Sequence, residues 1–146
     1  MDTIDFYMTR NLITIDSQAS ITQASQLMVE KNISALLVEE KGEHVGIVTE
    51  VDFNRRVIAR ELNPAETKIS AIMSHPIIGI EHNLSMNEAL AHMNENHLRH
   101  ILVTENAKIV GMLSVKDFVV YCVREYVQGQ GQDNIDEFWE KVLQEL

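Results

Sequence analysis

The sequence predicts an α/β (α+β) fold built from two β-α-β-β-α repeats, on three observations. The chain matches itself without gaps at an offset of 65 residues, each half opens a helix with the same capping signal, and short apolar stretches flank that helix in both halves. A gapless match over this length indicates an internal duplication. The identical pairs include Ile4/Ile69, Met8/Met73, Ile15/Ile80, Ser20/Ser85, Val38/Val103, Gly46/Gly111, Asp52/Asp117 and Phe53/Phe118.

The first half of each repeat predicts a strand and then a helix. An extended apolar stretch comes first, at residues 12–15 and again at residues 77–80. A helix follows, because Ser20 with Gln23, and Ser85 with Glu88, have the spacing of a capping box. Apolar residues at helical spacing then predict its buried face. They are Ile21, Ala24, Leu27 and Met28 in one copy, and Met86, Ala89, Leu90 and Met93 in the other.

The second half of each repeat predicts a hairpin and a closing helix. Apolar strands are expected at residues 35–38 and 45–48, and at 101–104 and 109–113, with polar turns between them. The last helix is expected to begin near Glu50 in one copy and near Val115 in the other. Its predicted core residues are Phe53, Val57 and Ile58 in the first copy, and Phe118, Cys122 and Val123 in the second.

The predicted boundaries are residues 1–62 for the first repeat, 63–127 for the second, and 128–146 for a linker and a C-terminal helix. A unit of about 60 residues buries only about 60% of its unfolded surface, so the two repeats are expected to pack sheet to sheet. In the tail, apolar residues from Ile135 to Leu146 follow the helical period after a capping box at Asn134. This amphipathic helix is expected to dock on its own module, on a dimer mate or on a separate protein partner.

Composition excludes several classes of partner. The formal net charge of −10 at pH 7 argues against binding a nucleic-acid backbone, which requires a positive face. No apolar run approaches the roughly 18 residues that span a bilayer, and the acidic face of the tail argues against membrane docking. The single cysteine cannot form an internal disulfide, and a cytoplasmic location is therefore expected.

A short motif recurs where the last strand of each repeat meets its last helix. It consists of Gly, two apolar residues, Ser or Thr, two variable residues and Asp, at residues 46–52 and 111–117. A hydroxyl and a carboxylate at this spacing suit a nucleotide, because the acid can accept hydrogen bonds from ribose hydroxyls. The alternative is that Thr49 with Asp52, and Ser114 with Asp117, are capping boxes that need no ligand.

The duplicated motif makes the chain resemble a known family. A 65-residue repeat with Ile-x-x-x-Met-Thr/Ser at its head and Gly-x-x-Thr/Ser-x-x-Asp near its end is similar to the cystathionine-β-synthase (CBS) repeat. The likeness covers residues 3–127, and two such repeats resemble the pair called a Bateman module. The resemblance implies pseudo-twofold pairing of the sheets and two clefts that bind AMP, ADP or ATP, with S-adenosylmethionine less favoured. No cofactor or metal is required.

The resemblance also implies which residues line the two clefts. The first predicted site combines Ser114, Asp117 and Met112 with Thr9, Ile13 and Ser34. The second combines Thr49, Asp52 and Ile47 with Ile78 and Arg99. Family members often have a His-Arg pair before the second repeat's central strand, and here the order is reversed, as Arg99-His100. His100 is therefore a further candidate ligand-binding residue.

Charge is expected to distinguish the two sites. Arg55 and Arg56 follow Asp52, whereas Val120 and Tyr121 stand at the equivalent positions after Asp117. The Thr49/Asp52 site is therefore predicted to take a multiply charged phosphate better. A solvated helix face is the alternative interpretation of the two arginines.

Three functions remain in competition at this stage. The first is a regulatory, homodimeric module that senses an adenine nucleotide and signals to a partner. The second is a scaffold protein that acts through the helix at residues 134–146 and binds no ligand. Enzymatic activity is the least supported, because no catalytic set is found. A zinc site is not expected either, since the spacing of His92 and His97 does not suit one face of a helix.

Overall fold

The chain divides into two compact units in a computed structural model that describes residues 3–129 and Gln144. The first-sheet unit comprises Asn11–Ile78, and the second-sheet unit comprises Met1–Arg10 with Gly79–Leu146. Each unit therefore contains the sheet of one repeat and the opening segment of the other repeat. The repeat boundaries predicted at residues 62 and 127 remain predictions, since they concern the duplicated sequence rather than these units.

The predicted β-α-β-β-α order is confirmed in both repeats. The helices are α1 (Ile4–Tyr7), α2 (Ile21–Lys31), α3 (Glu50–Phe53), α4 (Met86–Glu95) and α5 (Val115–Gly129). A π-helical turn at Asn54–Ile58 continues α3, and a 3-10 turn lies at Ile69–Ala71. The strands are β1 (Thr14–Asp16), β2 (Ala35–Glu40), β3 (Glu43–Thr49), β4 (Gly79–Glu81), β5 (His100–Glu105) and β6 (Lys108–Ser114).

Each unit has a three-stranded sheet with the same topology. In one sheet β1 pairs parallel with β2, and β2 pairs antiparallel with β3; β4, β5 and β6 repeat this arrangement. The register is equivalent, because Ala35 pairs with Thr49 and His100 pairs with Ser114. A register shift follows Val38 in β2 and Val103 in β5. The duplication therefore extends to the irregularities of the sheets.

Both predicted capping boxes start their helices. Gln23 N–H donates to Ser20 Oγ at 3.1 Å, and Ser20 N–H donates to Gln23 Oε1 at 2.9 Å. In the second copy Glu88 N–H donates to Ser85 Oγ at 3.2 Å, and Ser85 N–H donates to Glu88 Oε2 at 2.8 Å. These bonds satisfy amides that the first turn of a helix leaves without partners, so the sequence signal starts the helix for a physical reason.

The core of each unit lies between its sheet and its helices. Val38, Val48 and Val57 are fully buried in the first-sheet unit, as are Val103 and Leu113 in the second-sheet unit. The apolar stripe predicted for the first helix of each repeat is confirmed. Ile21, Ala24 and Met28 are buried in α2, as are Met86, Ala89 and Met93 in α4.

The predicted burial of the last helix of each repeat is partly wrong. Ile58 is 66% exposed and Val123 is 54% exposed. The π-helical turn has more residues per turn than an α-helix, which rotates Ile58 away from the face shared by Phe53 and Val57. Val123 lies five residues after Phe118 and is therefore about 140° away from it around a regular helix. Cys122 is half-buried, short of the full burial expected for it.

The amphipathic helix predicted at residues 134–146 lies outside the described residues, apart from Gln144. Within the residues that the structure describes, none of the helices has the length and apolar content that a bilayer crossing requires.

Candidate ligand-binding corners

The motif at residues 46–52 forms a strand-to-helix corner in the first-sheet unit. Thr49 is the last residue of β3, and its N–H donates to Asp52 Oδ2 at 2.8 Å. The Thr49 hydroxyl lies 3.3 Å from the same oxygen. Asp52 has 12% of its side chain exposed, so its carboxylate is held in one orientation near the surface. We call this arrangement the Asp52 corner.

The motif at residues 111–117 forms the equivalent Asp117 corner in the second-sheet unit. Ser114 ends β6, and its N–H donates to Asp117 Oδ2 at 2.7 Å. The Ser114 hydroxyl donates to this oxygen at 3.0 Å. In both corners one carboxylate oxygen therefore receives two hydrogen bonds from the residue that precedes the helix. The Thr49/Asp52 pair forms the capping box of the alternative interpretation. At Ser114/Asp117 the bond of such a box from the Ser114 N–H to the carboxylate is present. The second carboxylate oxygen accepts neither of the bonds to Oδ2.

An opening segment of the chain crosses each corner on the strand side. Thr9 pairs with Met112 of β6, with N–H to carbonyl bonds of 2.9 Å in both directions. Ser74 pairs with Ile47 of β3 through bonds of 3.1 and 2.9 Å. Thr9 was predicted as a site residue, whereas Ser74 was missed. The 65-residue offset that relates Thr9 to Ser74 was the signal that could have identified it.

The glycine of the motif is required by this crossing. A Cβ on Gly111 would lie 2.6 Å from Met8 Sδ and 3.0 Å from Thr9 O. A Cβ on Gly46 would lie 2.8 Å from the carbonyl oxygen of Ser74. The Ser74 carbonyl leaves no space for a side chain at Gly46, and a side chain at Gly111 would require Met8 or the opening segment to shift. The glycine therefore allows the opening segment to pack closely against the strand.

The two corners differ in charge, because Arg56 occupies the position that Tyr121 has in the second repeat. Arg56 Nη1 donates to the carbonyl of Ile72 at 2.8 Å, and its Nε lies 3.6 Å from Asp52 Oδ1. Arg56 is thus engaged with its own corner, while Arg55 is exposed. Among the residues that the structure describes, no ion pair involves Asp117.

Three further predicted site residues belong to the first-sheet unit. Ser34 precedes β2, and its carbonyl accepts a hydrogen bond from Glu50 N–H at 3.1 Å. Ile13 is half-buried, and its carbonyl accepts from Leu37 N–H at 3.0 Å. Ile78, at the end of this unit, is 57% exposed.

Arg99 and His100 lie at the Asp117 corner. The Arg99 carbonyl accepts a hydrogen bond from Val115 N–H at 3.0 Å, and His100 pairs with Ser114 across β5 and β6. Arg99 is exposed and His100 is half-buried. The predicted combinations of Arg99 with Asp52, and of Thr9 and Asp117 with Ile13 and Ser34, join residues of two units and remain predictions.

A cavity of about 420 Å³ in the first-sheet unit lies between the start of α2 and residues 65–68, and no residue of the Asp52 corner lines it. The first amides of α2 already have partners there, because Ile21 N–H donates to Thr67 O and Thr22 N–H donates to Pro64 O. This part of the surface therefore offers no free helix amides to an anion. In the part of the chain that the structure describes, no group of three or more His, Cys, Asp or Glu side chains has the arrangement of a metal site.

Comparison with known proteins places the fold and motif in context. A family model described as the CBS domain matches the chain twice, over residues 4–59 and 69–124. An uncharacterized protein of Methanopyrus kandleri is 31% identical over 135 residues, which cover 91% of this chain and 68% of that protein. Some other curated relatives are much longer, and the chain spans 19% and 59% of the length of two of them.

Solved structures show the same architecture. An uncharacterized conserved protein from Pyrococcus horikoshii superposes with a TM-score of 0.78 at 32% identity, covering 90% of this chain and 98% of that one. A hexameric CBS-CP12 protein from bloom-forming cyanobacteria has a TM-score of 0.78 at 25% identity, covering 99% and 83% of the two chains.

Proposed function

Since the chain belongs to the CBS-domain family, we propose that it is a regulatory module that binds an adenine nucleotide through its Asp52 and Asp117 corners and signals the bound state to a protein partner. CBS-domain proteins are generally regulatory modules, and those without further domains are mostly not catalytic. The observation that supports a ligand most directly is the equivalence of the two corners. Both combine an oriented carboxylate, a hydroxyl and an apolar strand residue held by an opening segment.

The hydrogen bonds of the corner favour ribose over phosphate as the group bound there. The carboxylate accepts from the corner through Oδ2, and Oδ1 can accept from a ribose hydroxyl. The Ser114 hydroxyl already donates to Asp117, so its lone pairs can only accept from a further ligand group. A phosphate needs donors, and a carboxylate repels it at short range. We therefore assign the sugar to the corner and the phosphates to neighbouring cations.

The candidate phosphate contacts differ between the two corners. Arg99 is exposed beside the Asp117 corner, and His100 lies next to it. At the Asp52 corner, Arg55 is exposed and remains a candidate for binding the phosphate groups. Arg56 is assigned to orienting Asp52, because its donors already face a carbonyl and that carboxylate. Met112 and Ile47 are assigned to the adenine ring, since each lies two residues before the hydroxyl.

Isothermal titration calorimetry of the full chain tests the proposal, with AMP, ADP, ATP and S-adenosylmethionine as separate titrants. We expect Asp117→Ala and Asp52→Ala each to weaken the binding of at least one of them by about 10- to 100-fold. This is the effect of removing hydrogen bonds to a charged group. Asp117→Asn keeps an acceptor for the capping bonds and removes the charge, so it separates ligand binding from folding.

Glu88→Ala is the matched control. Glu88 accepts from Ser85 N–H and from the Ser85 hydroxyl, each at 2.8 Å, in the same box geometry as Asp117 but at the start of α4. These bonds, the backbone bond first, lower the pKa of Glu88. Its loss should reduce stability while leaving affinity unchanged. The proposal is wrong if none of the four titrants binds the wild type, or if Glu88→Ala weakens binding as much as Asp117→Ala.

A scaffold function is the alternative, and an exposed apolar surface on α5 favours it. Val119, Val120 and Val123 are each more than half exposed. CBS-domain proteins are known to oligomerise, and the cyanobacterial CBS-CP12 relative is hexameric. We propose that the chain forms a homodimer through this α5 surface. Absence of a thermal shift with all four titrants, together with loss of a protein partner on deletion of residues 134–146, would favour the scaffold instead.

A further inference from the structure

The opening segment of the chain, residues 3–10, contacts the rest of the second-sheet unit at several places. Ile4 N–H donates to the carbonyl of Leu84 at 3.2 Å, next to the start of α4. Thr9 pairs with Met112 on β6. Between these two attachments, the rings of Tyr7 and Tyr121 of α5 meet edge to face at 5.3 Å. The segment therefore contacts the strand that leads into the Asp117 corner and the helix that leaves it.

A titratable cluster joins this segment to the turn after β4. His82 Nδ1 lies 2.8 Å from Asp5 Oδ2, and His82 Nε2 lies 3.6 Å from Glu105 Oε1. The second carboxylate oxygen of Asp5 accepts from Arg10 Nη2 at 3.2 Å. Glu81 is the remaining charged group that acts on the ring. His82 is thus placed between two carboxylates, one from the opening segment and one from β5.

The equivalent position in the first-sheet unit has no titratable pair. The 65-residue offset relates Asp5 to Ser70 and His82 to Ser17. The backbone geometry is nevertheless the same: Ser17 N–H donates to Glu39 O and His82 N–H donates to Thr104 O, both at 2.9 Å. The chain therefore contains two copies of one attachment. Only the second-sheet copy combines an acid with a histidine.

We propose that Asp5 and His82 form a proton-controlled clasp, which tightens the opening segment on the second-sheet unit when His82 is protonated and loosens it when His82 is neutral. Protonated imidazole donates to Asp5 and carries a charge that attracts both Asp5 and Glu105, whereas neutral imidazole keeps at most the hydrogen bond to Asp5. The clasp thus weakens on deprotonation without losing its short Asp5 contact. Through Thr9, it sets how firmly the segment lies against Met112.

The direction of the pH effect follows from the hydrogen bond to Asp5. That bond, with the charges of Asp5, Glu105 and Glu81, raises the pKa of His82 above 6.5 despite the opposing effect of desolvation. A group with a raised folded-state pKa contributes its full stabilisation below its unfolded pKa. The contribution is lost as pH rises through the folded-state pKa. The clasp is therefore tightest in mild acid and loosens from about pH 6.5 upward.

Amide hydrogen exchange of the ligand-free full chain tests the clasp, followed by NMR from about pH 5.5 to about pH 8.5, with rates divided by the intrinsic rate at each pH. The probe is Thr9 N–H, which bonds to Met112 O. Ser74 N–H bonds to Ile47 O and is the internal control. We expect the protection of Thr9 relative to Ser74 to fall about two- to fivefold across the range, as a partly exposed ion pair supports.

Two variants make the result decisive. The double variant Asp5→Ser/His82→Ser gives this attachment the two serines that the first-sheet copy already has. The variant protein should therefore fold. His82→Gln keeps a donor and does not titrate. Both should remove the pH dependence of the Thr9 to Ser74 ratio. A ratio that does not change with pH in the wild type, or a change that persists in both variants, overturns the proposal. Because no nucleotide is present, neither outcome depends on the proposed ligand.

Discussion

Gly111→Ala tests the close approach of the opening segment to β6. An added Cβ would lie 2.6 Å from Met8 Sδ and 3.0 Å from the carbonyl oxygen of Thr9. The methionine sulfur lies on a flexible side chain, but Met8 is only 7% exposed and has little room to move. The Thr9 carbonyl is backbone and is held by Met112 N–H at 2.9 Å. The Met8 side chain, the opening segment or both must therefore shift away from the strand.

The expected loss of unfolding free energy in Gly111→Ala follows from the cost of overpacking. An extra methyl group in a well-packed contact costs about 1–3 kcal/mol, and the free energy of unfolding should fall by this amount. In a chain of this size, Tm should fall by roughly 2–4 °C for each kcal/mol. Urea unfolding gives the free energy, and hydrogen exchange of Thr9 N–H reports whether the segment is the part displaced.

A double-mutant cycle identifies the clash as the cause. Met8→Ala removes the sulfur that the new Cβ would meet, so the double variant should be more stable than the sum of the single effects by about 1 kcal/mol. A Gly111→Ala protein within about 0.5 kcal/mol of the wild type would refute the argument that the motif glycine seats this segment. Additive effects in the cycle would show that Met8 is not the obstacle.

Three further predictions follow from single contacts. Arg56→Met keeps the length of the side chain but leaves the Ile72 carbonyl without its donor, so urea unfolding should show a loss of about 1 kcal/mol, and no loss would contradict a structural role for Arg56. Ala107 has a φ of 63° where Gly42 has 81°, so Ala107→Gly should stabilise the chain by about 0.5–1 kcal/mol, and destabilisation would contradict the left-handed turn. Val119→Glu places a charge on the exposed apolar face of α5, and sedimentation velocity should show a smaller assembly; an unchanged assembly would contradict dimerisation through this face.

The local elements of this fold could be predicted because their signals are local. Ser20 and Ser85 start helices through hydrogen bonds to residues three positions away, and these bonds depend on little beyond the helix itself. The apolar stripes of α2 and α4 follow the period of a helix and were predicted correctly. The burial of Ile58 was predicted wrongly, because a regular period does not reveal a π-helical turn.

In the candidate site, too, the sequence revealed the local features and missed the long-range ones. The sequence identified the hydroxyl and acid of each corner, since both lie within one turn of the chain. It did not reveal that Arg56 faces Asp52 and the Ile72 carbonyl, because the latter contact joins residues 16 positions apart. It also missed Ser74 and gave no structural reason for Gly46, since each depends on a segment that crosses the strand from a distant part of the chain.

The residues alone were enough to predict the duplication, the β-α-β-β-α order, the family and the two Asp corners, because all of these depend on spacing along the chain. The folded chain was needed to show that the opening segment of each repeat pairs with a strand of the other repeat. It alone placed Asp5 against His82, 77 positions away. Contacts of this kind form between residues that are distant in sequence and are brought together when the chain buries its apolar surface. The local periodicity of a sequence does not show which distant residues will meet.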